Sequence, residues 1–272
     1  MATNKRALTW AAVGQLPRPI RKNLHLALIP FALAGFLALW QAIIALNNFP
    51  AFILPPPRLV ADSFSEHWQN GILPRHLGIS LFEVGVGFSI ALIFASTMGY
   101  LLGKSPALEK ILSPYLIASQ AVPLVALGPL IIIWLGGGIW QNALVAALVA
   151  FFPMLVNTLI GIRNIRREYR DLMRSYAASY WQVLLKLEIP AALPVFFGGI
   201  RVGVTMSVVG VTVVELLWAD RGLGFLLNFS RGALNTPLVF ATVATLAAMA
   251  LSLYIIVALI ERIIIRYRRS ES

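Results

Sequence analysis

The side chains able to do chemistry are few and widely spaced. The chain has no cysteine, which removes disulfides, thiol nucleophiles and Cys-ligated zinc or iron–sulfur sites. Its three histidines, His25, His67 and His76, lack any metal-ligand spacing. No Ser/His/Asp set, carboxylate pair within the apolar runs or metal motif supports an enzyme. Gly103-Lys104-Ser105 resembles the end of a phosphate loop, but that pattern needs a glycine five positions before Gly103, where Met98 stands, and a preceding strand. Lys104 therefore reads as an ordinary loop charge. Glu83, Arg201 and Glu215 lie in or near long apolar runs, where a charge is costly unless it faces a cavity, a partner or the interface. Glu83 and Glu215 stand near outer ends, and solvation there is the favoured account. Arg201 lies deeper and either snorkels inward or pairs with an acidic group. Three such groups are too few for a proton relay, which argues against a proton-coupled carrier.

The elements that position these residues are set by composition. Of 272 residues, 59% are apolar and 12% charged, against roughly 45–50% and 25% in soluble domains. Mean hydropathy is +0.81, so much of the surface must face lipid. A spanning helix needs about 20 mostly apolar residues. Six segments qualify: 25–46, 80–102, 115–135, 141–162, 191–217 and 238–260. The first follows a basic leader and is too long for a signal-peptide core, so it reads as a retained anchor. With the N-terminus inside, 17 of the 22 Lys and Arg residues fall on one side of the six spans. The positive-inside rule then places both termini in the cytoplasm. The formal charge of +11 is thereby a topology signal and gives no support to nucleic-acid binding.

Between the first two spans, Pro55-Pro56-Pro57 ends one element and Arg58–Trp68 forms a short amphipathic helix, read as a structural connector. No internal repeat supports the duplicated halves of many secondary transporters. Gly99/Gly103 and Gly199/Gly203/Ser207 set small residues on one helical face, which favours close helix packing over lining a path. Pro123 and Pro129 remove backbone donors from the third span and bend it. A bent helix at membrane depth faces protein or water, so Gln120 and Pro123 join Arg201 and Glu215 as candidates for a path or gate.

The most informative stretch runs from Arg163 to Glu188. Ile165, Tyr169, Leu172, Met173, Tyr176, Tyr180, Val183, Leu184 and Leu187 recur at steps of three and four, while Arg166, Arg167, Arg170, Asp171, Arg174 and Lys186 occupy the other faces. The element is amphipathic and too polar to span. Ser179-Tyr180-Trp181-Gln182 fits a capping box, which predicts a break at Ala177-Ala178 between two short helices. Such an element either lies on the membrane surface or docks to a soluble partner.

The run Asp171-Leu-Met-Arg-Ser-Tyr-Ala-Ala-Ser179, followed by Ile189-Pro-Ala-Ala-Leu-Pro194, resembles the loop signature of binding-protein-dependent ABC importer permeases. It departs from that signature by Asp171 for a Glu, Leu172-Met173 for two alanines and Ala177 for a Gly. Ala121–Leu130, Phe151-Phe-Pro153, Gly199-Ile-Arg-Val-Gly203 and Gly222-Leu-Gly224 resemble the nitrate, sulfonate, taurine and vitamin-precursor branch of that family. The resemblance covers about residues 75–262. It implies an all-α membrane protein with six transmembrane helices and a cytoplasmic coupling helix, divided as 1–74 (tail, first span and external loop), 75–262 (transport domain) and 263–272 (basic tail).

What the resemblance implies for function is a permease subunit, with no cofactor on this chain and ATP used by separate ATPase subunits. The other implied partners are an external solute-binding protein, a second permease copy and the lipid of a prokaryotic cytoplasmic membrane. Asp171, Arg174, Ala177, Ala178 and Ser179 become the ATPase-contacting candidates. The texture of 151–162 and 173–179 leans to vitamin permeases, for riboflavin or the thiamine pyrimidine, with sulfonate, taurine or nitrate as the alternative. The rival from another class is an autonomous channel or secondary carrier.

The charge distribution makes a topology prediction. Reporter tags at Ser272 and within 163–188 should read cytoplasmic, and one near residue 70 should read outside. An outside reading at 163–188 would overturn the docking assignment.

Overall fold

In the computed structural model, residues 18–121 and 127–269 are described, and the described residues hold helices and no strands. Helices are what lipid demands, because every backbone donor and acceptor must be satisfied within the segment. In chain order they are α1 (Arg18–Asn47), α2 (Pro57–Gln69), α3 (Ile72–Lys104), α4 (Pro106–Ala121), α5 (Gly128–Leu135) and α6 (Ile139–Arg163). Then come α7 (Arg167–Ser175), α8 (Tyr180–Val183), α9 (Ile189–Trp218), α10 (Leu223–Gly232) and α11 (Thr236–Arg269). A π-helical turn, Leu184–Glu188, joins α8 to α9 without a break.

Five helical stretches among the described residues are long and apolar enough to cross a membrane, and they match the first, second, fourth, fifth and sixth expected spans. The third differs. Within 115–135 lie the end of α4 and the eight residues of α5, with 122–126, including Pro123, outside the described residues. Neither helix alone meets the length of a span. Pro129 stands in the first turn of α5, where a missing N–H is tolerated.

The core is a slab of three helices, with α6 between α3 and α9. Between lipid-bathed helices no hydrophobic drive operates, so close approach of backbones must supply the cohesion. Glycines permit it. A Cβ on Gly87 would stand 2.5 Å from the Ala143 carbonyl oxygen, and one on Gly99 would stand 2.7 Å from that of Leu155. One on Gly103 would stand 2.8 Å from the Cβ of Ile162. On the opposite face of α6, Gly199 lies against Asn157 and Gly203 against Met154. Both small-residue rows therefore serve packing. Ala91, Ala95, Ala147, Ala150, Met154, Leu155, Ile200 and Val204 fill the slab.

The remaining helices wrap this slab. Helices α10 and α11 pack on α9, and α2 bridges α11 and α3. Helix α2 covers the expected amphipathic segment and starts at Pro57, where proline is tolerated. Over residues 30–47 helix α1 is mostly exposed; it packs Trp40 against Phe240, at 5.3 Å between ring centroids, and also touches α2.

The two glycine rows differ in what a side chain would strike. At Gly99 the obstacle is backbone, whereas at Gly203 it is the flexible Met154 thioether. Gly99→Val should therefore cost about 1–3 kcal/mol or more of overpacking strain, and Gly203→Ala should cost less. Thermal unfolding of the two variants in detergent measures the difference, and equal losses would refute the packing account.

Candidate functional site

The segment after α6 folds from local interactions. Helix α7 carries Glu168 in its first turn and Arg174 in its last, each matched to the helix dipole. Arg170 donates from Nη2 to the Ile162 carbonyl at 2.9 Å, tying α7 back to the end of α6. The helix then ends in a Schellman motif. The Ala178 amide donates to the Met173 carbonyl at 3.0 Å and the Ala177 amide to that of Arg174 at 2.9 Å. This closure requires the intervening residue to be left-handed, and Ala177 has φ 49°. Glycine would adopt it freely, whereas alanine costs about 1 kcal/mol more.

Ser179 then starts α8 with the capping box expected of it. Its amide donates to Gln182 Oε1 at 2.8 Å, and the Gln182 amide donates to Ser179 Oγ at 3.4 Å. The five residues Asp171, Arg174, Ala177, Ala178 and Ser179 thus fall on one tight bend. Asp171 and Arg174 form an exposed i,i+3 pair at 3.4 Å. Around them Leu172, Tyr176, Tyr180 and Trp181 are also exposed. A cluster of aromatic and aliphatic side chains on a helix pair that carries this much charge is a surface suited to a protein partner.

Two polar clusters tie the slab together at its opposite ends. At the α7 end, Glu188 is 1% exposed and accepts from Lys104 Nζ at 2.6 Å and from the Tyr100 hydroxyl at 2.8 Å. Lys104 is thus no ordinary loop charge. Its reading from sequence is corrected by a partner that lies 84 positions away.

At the α10 end, Glu83 and Glu215 are 0% and 1% exposed, which overturns the expectation that solvent satisfies them. Asn142 Nδ2 donates to both Glu83 oxygens at 3.0 Å. Glu215 accepts from Ser80 Oγ at 2.6 Å and from the Gly224 amide at 2.7 Å. The two carboxyl groups lie within hydrogen-bonding reach of each other, forming a carboxylate pair that apolar runs alone did not reveal. Gly222, with φ 95°, must be glycine, since a Cβ there would overlap the Glu215 carboxylate. The cluster pins the loop after α9 onto α3.

The path candidates are scattered. Glu215 lies in the cluster just described. Arg201 pairs with Glu261 of α11, Nε to Oε2 at 3.2 Å, and stands over the Tyr254 ring. Gln120 is at the end of α4 with its side chain outside the described residues, and Pro123 lies outside them altogether.

Residues 87–269 match the family described as binding-protein-dependent transport system inner membrane component. The chain belongs to this family. It is the membrane-spanning permease subunit of an ABC importer. The riboflavin transport system permease protein of Chloroflexus aurantiacus is 44% identical over 242 residues, 89% of this chain and 90% of the relative. The formylaminopyrimidine transport permease protein of Halalkalibacterium halodurans is 26% identical over 235 residues, 86% and 93% of the two chains. A putative aliphatic sulfonates transport permease protein of Bacillus subtilis is 32% identical over 237 residues, 87% and 86%. The α7–α8 bend lies within the matched residues and carries the run Asp171–Ser179 that resembles the family's loop signature.

The left-handed Ala177 gives a local test. Ala177→Gly should stabilise the bend by roughly 0.5–1 kcal/mol, so that the Ala178 amide exchanges its hydrogen about two- to five-fold more slowly. Ala177→Val should speed exchange instead. Faster exchange in the glycine variant would contradict the left-handed turn.

Proposed function

We propose that the chain carries a vitamin-class heteroaromatic solute, riboflavin or the thiamine pyrimidine, across a prokaryotic cytoplasmic membrane. It does so as one of two permease copies, with both termini cytoplasmic. The observation that carries the substrate assignment is the 44% identity to a riboflavin permease across nine-tenths of both chains. Sulfonate and taurine relatives stand at 30–32%.

ATP is hydrolysed on separate subunits, because the chain lacks the glycine pattern of a phosphate loop. Those subunits seat on the α7–α8 bend, where Asp171, Arg174, Ala177, Ala178 and Ser179 meet them and the exposed Leu172, Tyr176 and Trp181 supply apolar area. An external binding protein delivers the solute at the opposite face. Closure of the ATPase pair then displaces the bend, and because α8 runs through the π-helical turn into α9, that displacement enters a spanning helix directly. Alternating access follows as a rigid-body change of the helices about the path.

The test is uptake in proteoliposomes holding the permease, its ATPase and its binding protein. Labelled riboflavin or formylaminopyrimidine should accumulate only with ATP and binding protein present, and taurine, aliphatic sulfonate and nitrate should neither accumulate nor compete. Uptake of those anions would overturn the substrate assignment. Uphill uptake driven by a proton or sodium gradient without the ATPase would overturn the importer reading as a whole.

A further inference from the structure

The α7–α8 bend is anchored to two different helices. Its incoming limb is held to α6 by Arg170 on the Ile162 carbonyl. Its outgoing limb is held to α3 by a polar cluster of four side chains. Glu188, at the last position of the π-helical turn, accepts from Lys104 and from Tyr100. The Tyr100 hydroxyl also lies 3.0 Å from that of Tyr180, the first residue of α8, and the Lys104 ammonium stands 5.8 Å from both ring centroids. A carboxylate 1% exposed beside a lysine 34% exposed is a pair with one foot in the core. Such a pair resists separation, because parting the charges strands one of them away from water.

The packing beneath the cluster gives it mechanical weight. Between α3, α6 and the head of α9 lies an open groove of about 420 Å³, lined by Thr97 and Tyr100 on one side and by Leu184, Ile189, Leu193 and Phe196 on another. The cluster bridges α3 and the head of α9 beside this space. The π-helical turn that aims Glu188 inward is itself a feature found disproportionately where helices serve function.

We propose that Glu188, Lys104 and Tyr100 form a latch that carries displacement of the α7–α8 bend into α3, so that α3 and α9 move as one unit during transport. The three are positioning residues: they touch neither solute nor nucleotide and act by linking the driven limb to a second spanning helix. The proposal rests on the importer reading above.

The test uses the same reconstituted importer, with uptake and ATP hydrolysis measured together. In Lys104→Met and Glu188→Gln the ATPase should copurify in wild-type amount, while solute imported per ATP hydrolysed falls at least tenfold. Tyr100→Phe, which keeps the ring and removes one hydrogen bond, should lower the same ratio about two- to five-fold and guards against a charged variant that fails to fold. The exchanged pair, Lys104→Glu with Glu188→Lys, should recover most of what either single reversal loses. A wild-type ratio in Lys104→Met, or no recovery in the exchanged pair when both single reversals insert normally, would overturn the latch while wild-type uptake still upholds the importer. Absence of ATP-driven uptake by the wild type would overturn both.

Discussion

The structure depends on how closely α6 can approach its two neighbours. In lipid the apolar side chains of a helix gain nothing by leaving one hydrocarbon surface for another. Cohesion must come from dense packing, and density requires that side chains be absent where backbones meet. Gly87, Gly99 and Gly103 on α3 leave that room on one face of α6, and Gly199 and Gly203 on α9 leave it on the other. Every functional feature described above hangs on the slab so formed. The α7–α8 bend leaves it from the end of α6 and re-enters it at the head of α9, and the carboxylate pair closes its opposite end.

Charge completes what packing begins. The buried acidic side chains of the slab each join elements distant in sequence: Glu188 joins the π-helical turn at the head of α9 to α3, and Glu83 with Asn142 and Glu215 with Ser80 join α3, α6 and α9. The Arg201–Glu261 pair joins α9 to α11 in the same manner. A buried carboxylate is tolerated only when its oxygens are occupied by donors, so these contacts also specify which helix faces which. Apolar surfaces alone would permit more than one rotation of each helix about its axis.

How much of this was legible in the sequence follows from the range of each interaction. Five spans declared themselves, because an uninterrupted apolar run is a local signal. The third is described only in part, since 122–126, with Pro123, lie outside the described residues. The bend was readable from Ser179 and Gln182, three residues apart, whereas the left-handed φ of Ala177 was not, since alanine rarely adopts it. The partners of Lys104 and Glu215 were not readable, because they lie 84 and 135 positions away. Solvation of Glu83 was misjudged for a simpler reason. Helix α3 begins at Ile72, about two turns before the apolar run expected to start it, which carries Glu83 inward from the helix end.

The bend between α7 and α8 is closed by the Schellman pair, the capping box and the Asp171–Arg174 contact, all made between residues no more than five apart. No hydrogen bond among these draws on a second subunit for its geometry. A partner seated on this bend, as proposed above, would meet a surface already shaped, with the loss of backbone freedom that accompanies most loop recognition met during folding of this chain. Under that proposal, affinity at the bend would not be spent on ordering, so more of the contact energy would remain to hold the subunits together while the helices between them move.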